Sequence, residues 1–193
     1  VGRKDTIIFL GDIGDVSYIR KIRGYKVLIC GNHDVGASTY KRVVYEPVEF
    51  DKRDYSVEEA IAETEKIHPD CIYQAKTVYS HDGLFEWWNV TADNGLFDEV
   101  YEGPLMIGEK LLLSHEPVDV PWAFNIHGHD HKGTKREGHL NVCADVIGYK
   151  PVHMNNLMAK TGILSKTDSI HRQTIDDATK RKKKRGGKKI GQK

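Results

Sequence analysis

Short apolar runs that close on glycine open this chain. Thr6-Ile7-Ile8-Phe9-Leu10 ends at Gly11, and Lys26-Val27-Leu28-Ile29-Cys30 ends at Gly31. Runs of this length and continuity predict strands buried on both faces. Between them Val16, Ile19 and Ile22 fall at helical spacing ahead of Gly24, so the first thirty residues read as a βαβ unit. Ser56-Val57-Glu58-Glu59 has the form of a capping box opening an amphipathic helix that runs to about Ile67, with Pro69 opposing its continuation. Residues 51–95 otherwise fit the pattern less well: Tyr79, Phe85, Trp87 and Trp88 stand among polar residues. This stretch is expected to be an insertion over the core, its aromatics either bordering an active site or packing the insertion onto the body. Residues 104–107 and 110–113, around Gly108-Glu109, predict a hairpin. Residues 122–126 predict a further strand and residues 140–147 a half-buried one, so a second sheet is expected. Residues 155–164, and 168 to about 180, read as terminal helices.

Four of these segments are followed by polar signatures: Gly11-Asp12, Gly31-Asn32-His33-Asp34, Ser114-His115-Glu116-Pro117 and Gly128-His129-Asp130-His131. Carboxyl ends of strands are where open α/β sheets gather ligands. An Asp, an Asn and several His brought there supply oxygen and imidazole donors suited to Mn, Fe, Zn or Ni. Two such ions can clamp a phosphoryl group and stabilise both attacking and leaving oxygens, which requires a bridging carboxylate. Asp12 is preferred for that place. Asp15 is the competing choice, although it could equally cap the following helix or stand behind the ligands. Asn32 offers a neutral oxygen, while His33 is suited to protonating the leaving group or to facing the pentavalent transition state as a positive partner, with Asp34 orienting it through the other ring nitrogen. His115 follows a strand directly. His129 and His131 are one residue apart, so in an extended segment both rings point the same way and can serve adjacent ions. His127 shares that phase, as a third ligand or a group behind the ligands. The remaining histidines, including His68, His81, His139, His153 and His171, are expected to be surface or core residues.

Charge divides the chain. Residues 180–193 hold nine Lys and Arg and no acid, so against a total of +1 the body carries a formal −8. An acidic body argues against a broad nucleic-acid-binding face, whereas the basic tail, expected to be disordered, could attract polyanions weakly. The chain's 193 residues suit one domain, residues 1–179, with an insertion at about 51–95. No apolar run nears the length of a membrane span. The three widely spaced cysteines suit reduced thiols in the cytoplasm. The chain opens on Val with a strand signal almost at once, as a piece of a longer polypeptide would.

The four signatures, in this order, resemble those of the calcineurin-like metallophosphoesterases, and most of all the small single-domain members of bacteria and phages. The family pattern runs Asp-x-His, Gly-Asp, Gly-Asn-His-Asp/Glu, His, Gly-His-x-His, and its last four elements stand here. The resemblance covers residues 6 to about 152 apart from the insertion, and includes Tyr101-Glu102-Gly103-Pro104 and residues 145–152. It implies an α/β fold, a two-sheet β-sandwich flanked by helices, with a first strand missing from this chain. It also implies two divalent ions, Mn²⁺ foremost, bridged by Asp12. Asn32, His115 and His129 would complete one site, His131 would serve the other, and His33 would act on the leaving group. The family's first motif, Asp-x-His, has no counterpart before Gly11, and Asp5 is not followed by a suitable His. The implied activity is hydrolysis of a phosphomonoester or phosphodiester by a metal-bridging hydroxide, on a phosphorylated small molecule, nucleotide or nucleic acid. The rival expectations are a scaffold on the same fold with an incomplete metal site, and a nucleic-acid-binding module anchored by the tail.

Overall fold

A computed structural model describes residues 2–108, 110–161 and 180. The chain is mixed α/β, with three sheets and five helices among the described residues, and none of these helices is long and apolar enough to cross a membrane. It divides into two compact units, Val1–Glu102 and Gly103–Lys193.

The first unit begins with the expected βαβ arrangement. Strand β1 (Thr6–Phe9), the single-turn helix α1 (Ser17–Arg20) and β2 (Tyr25–Ile29) place the two strands parallel, with Thr6 opposite Tyr25. Gly24 turns the chain into β2 with φ +101°, and a Cβ there would lie 2.5 Å from the Asp5 carbonyl oxygen, so glycine is required on both counts. Helix α2 (Ala37–Tyr40) follows, and after a separate excursion β6 (Glu99–Tyr101) pairs with the other edge of β2, also parallel. The central strand β2 is buried from Lys26 to Ile29. Strand β1 is only half-buried, a correction to the expectation of burial on both faces: it pairs with β2 alone among the described residues. The core joins Ile19, Leu28, Tyr40 and Phe97, with Phe97 edge-on to Phe9 at a centroid distance of 5.3 Å. Lys26 is buried too, its ammonium donating to the Gly95 carbonyl at 2.5 Å, and burial lowers its pKa.

The excursion is more ordered than the sequence predicts. Strands β3 (Val48–Asp51), β4 (Ile72–Tyr79) and β5 (Glu86–Asp93) form an antiparallel sheet in the order β3-β5-β4, and helix α3 (Val57–Ile67) packs on β4 and β5. The capping box is present in full: Ser56 Oγ accepts from the Glu59 amide, and the Glu59 carboxylate accepts from the Ser56 amide. Ala60 and Thr64 of α3 and Val90 and Ala92 of β5 are its buried residues. Trp88 is held by its indole N–H on the Tyr55 carbonyl, with the Lys52 ammonium 4.0 Å from its ring centre.

Arg42 ties this sheet back to β2. Its guanidinium donates to both Asp93 oxygens and, at 2.7 Å, to Asp98, whose carboxylate also accepts the Lys26 amide. Burial raises the Asp93 pKa, but the Arg42 contacts outweigh it and hold the carboxyl below its ordinary value of 3.8. The unfolded chain therefore takes up this proton before the native one does. Stability from the pair is complete above pH 3.8 and is lost as the pH falls through the native value. Urea midpoints measured from pH 5 down to pH 3 are expected to fall in the wild type and to fall less steeply in Arg42→Ala.

The second unit is a four-stranded sheet in the order β10-β9-β8-β7. The expected hairpin is β7 (Leu105–Ile107) with β8 (Leu111–Ser114), antiparallel; β9 (Phe124–His127) and β10 (His139–Asn141) extend the sheet in parallel. The buried Asn125 side chain braces the sheet end, donating to the Leu112 carbonyl and Ser114 Oγ and accepting the Val118 amide. The strand expected over residues 140–147 stops at Asn141. The Asn141 side chain accepts the Cys143 amide at 2.8 Å, which turns the chain, and residues Ala144–Ile147 become the short helix α4, closed by Gly148 in the left-handed conformation. Helix α5 (Met154–Thr161) covers part of the expected 155–164 helix. The helix expected from 168 and the tail 180–193 lie outside the described residues, Lys180 apart.

Candidate metal centre

In the first unit two loops leave the carboxyl ends of adjacent parallel strands. Gly11 at φ 84° and Asp12 at φ 53° lift the chain sharply away from β1. The loop after β2 carries Asn32 and His33, both exposed, and the partly buried Asp34. Asp34 laces the two together: one oxygen accepts the amides of Gly31 (2.7 Å) and Asp12 (2.9 Å), the other that of Ile13 (3.0 Å). Asp12 returns the link, its carboxylate accepting the His33 amide at 3.1 Å. This corrects the role expected for Asp34. Its oxygens are taken by backbone amides, and it makes no hydrogen bond to the His33 ring among the described residues. Asp15 acts at the start of α1 and accepts the Ser17 amide at 2.8 Å, a bond that lowers its pKa.

In the second unit His115 follows β8 and is buried, while His129 lies in the loop after β9. His115 Nε2 and His129 Nδ1 are 3.0 Å apart, with the rings steeply inclined, and the Gly128 amide donates to the His115 carbonyl. Two imidazole nitrogens at this separation either share one proton or direct two lone pairs at one cation.

His129 and His131 do not point the same way, contrary to the alternation expected for an extended segment. His129 has φ 56°, which breaks the two-residue period. The His131 Nδ1 instead meets the Asp145 carboxylate, with the Cys143 sulfur 3.6 Å away. Asp145 and Cys143 received no role from the sequence. Both lie just past the end of β10, one residue apart: the Asn141 side chain turns the chain at Cys143, and α4 carries Asp145 to His131. His127 also leaves the set. It is buried within β9, donates Nδ1–H to the Gly128 carbonyl at 2.9 Å, and stands beside His139 rather than the other predicted ligands. Burial depresses its pKa.

Asp12 and His129 are two of only four non-glycine residues with positive φ among those described. Such strain is commonly held at functional sites. A cavity of about 440 Å³ in the second unit is lined by His129, His131, Lys132 and Arg136 among others. The two cations have no carboxylate partner among the described residues, since Asp130 accepts the Lys132 and Thr134 amides instead. The surface beside the histidines is therefore suited to an anion. The paired imidazole nitrogens of His115 and His129 suit a divalent ion of the Mn to Zn group. Comparison with family models, with curated proteins and with solved structures returned no match to this chain.

Proposed function

We propose that this chain is a metal-dependent phosphoesterase of the calcineurin-like type, with a sandwich fold of that family, acting on a phosphomonoester or phosphodiester. The observation that carries the reading is the His115–His129 pair, whose ring nitrogens stand 3.0 Å apart beside a cavity bearing Lys132 and Arg136. Asp12, Asn32, His115, His129 and His131 are the proposed ligands of two divalent ions, Mn²⁺ foremost, with Fe, Zn or Ni as alternatives. Bound ions would supply Lewis acidity toward the phosphoryl oxygens and a water-derived nucleophile at neutral pH.

The chain's own groups do the rest. His33, exposed on a loop held by Asp34, has an imidazole free to donate its proton to the departing ester oxygen. Lys132 and Arg136 draw in the phosphate and balance its charge. Asp34 keeps the Asp12 and His33 loops in register through the amides that it accepts. Substrates in this class include phosphorylated small molecules, nucleotides and nucleic-acid ends. A reducing, cytoplasmic setting accords with the three free thiols Cys30, Cys71 and Cys143.

The test is hydrolysis of p-nitrophenyl phosphate and bis-p-nitrophenyl phosphate by the protein at its full natural length, with metal content measured before and after chelation. Activity lost on chelation and restored by Mn²⁺ is expected. Chelation-insensitive turnover would reject the metal-dependent mechanism, and no turnover with metal fully bound would reject the reading and leave a binding or scaffolding role.

A further inference from the structure

Three side chains at the end of the second unit's sheet were not assigned together by the sequence pattern. His131 Nδ1, Cys143 Sγ and an Asp145 oxygen all lie within 4.8 Å of one another. The thiol is on the buried side of the group and the other two are exposed, so the cluster has an inner wall and an open mouth. The architecture makes this junction: β10 ends at Asn141, whose side chain turns Cys143 inward, and α4 then presents Asp145 to the loop that carries His131.

We infer that His131, Cys143 and Asp145 supply three ligands of a cation site for Zn²⁺ or a similar borderline ion. Ligands at about 2.0–2.3 Å from a tetrahedral ion stand roughly 3.5 Å apart. The His131 Nδ1 to Cys143 Sγ distance is 3.6 Å, which matches. Asp145 lies nearer, in hydrogen-bond contact with Nδ1, and a rotation of its carboxylate admits an ion. Imidazole, thiolate and carboxylate together favour zinc or cobalt over magnesium or calcium. Binding releases the thiol proton to solvent and leaves the sulfur as thiolate, with no change of oxidation state. The inference rests on the phosphoesterase reading for His131 as a ligand of the second ion, and revises that ion from Mn²⁺ to zinc or a similar borderline metal held further by Cys143 and Asp145.

Cobalt(II) is the probe, because a thiolate bound to it gives a near-ultraviolet charge-transfer band that oxygen and imidazole ligands do not. Metal-free full-length protein titrated with Co²⁺ is expected to show the band. Cys30→Ser and Cys71→Ser should keep it. Cys143→Ser should lose it, and Asp145→Asn should weaken Co²⁺ binding by about 10- to 100-fold. Cys143 is buried, so His131→Ala serves as a second variant at an exposed position and should also weaken the band. Absence of the band in the wild type, or its survival in Cys143→Ser, overturns the site. Hydrolysis without the band would leave the phosphoesterase reading standing alone; the band without hydrolysis would leave only the cation site.

Discussion

Replacing Asp34 by alanine is expected to destabilise the first unit by about 2–4 kcal/mol and to lower its Tm by at least about 8 °C. One carboxylate accepts three backbone amides from the two loops that follow β1 and β2, at 2.7, 2.9 and 3.0 Å. Alanine leaves those donors without their anion. Hydrogen bonds to a charged group each contribute roughly 1.5–3 kcal/mol, and partial access of water to the loops keeps the total below their sum. Asp34→Asn retains one accepting oxygen and should fall between wild type and alanine. Asp15→Ala, which removes an exposed carboxylate that accepts a single backbone amide, that of Ser17, should destabilise much less than Asp34→Ala. Thermal and urea unfolding of the three variants decide the matter, and an Asp34→Ala protein as stable as wild type would show that the lacing does not hold the loops.

The second large effect lies on activity with stability left alone. Under the phosphoesterase reading, His33→Ala should reduce kcat by about 10²- to 10⁴-fold, the usual range for loss of a positioned acid. The His33 ring is exposed, and the contact of this residue with Asp12 is made by its backbone amide, which alanine keeps. Its Tm should therefore match that of wild type. Asp12→Asn should lose most of the activity for a different reason. Its amide still donates to Asp34, and the remaining side-chain oxygen can still accept from His33, so the loop persists while the ligand charge disappears. A fall in kcat without a matching rise in KM would place both effects in the reacting complex. Wild-type turnover in either variant would remove the proposal.

The contrast between Asp34 and His33 shows where reading a sequence stops. Neighbouring residues in one tetrapeptide were expected to act on each other. The structure turns Asp34 toward amides contributed partly by a loop some twenty residues away, and a loop's side-chain direction is set by that distant partner rather than by its own composition. His129 and His131 show the same limit. A period-two argument holds only while φ stays negative and extended, and a left-handed residue at His129 cancels it. The antiparallel sheet over residues 48–93 was hidden because only the first half of β4 alternates in burial, so its apolar pattern is too weak to declare a strand.

What the sequence determined by itself is local: the parallel β1-α1-β2 start, the Ser56 capping box, the β7-β8 hairpin and the placing of Asp12, Asn32 and His115 just past strand ends. Each rests on propensity and spacing within a dozen or so residues, which hydrophobic burial and capping enforce wherever the segment lies. Only the tertiary structure decided which of those polar ends meet. It brought His115 to His129, gave Asp34 to the backbone, buried His127 beside His139, and gathered Cys143 and Asp145 around His131. Those contacts depend on backbone dihedrals at single residues and on strand neighbours remote in the chain, quantities that a linear pattern of apolar and polar positions does not encode.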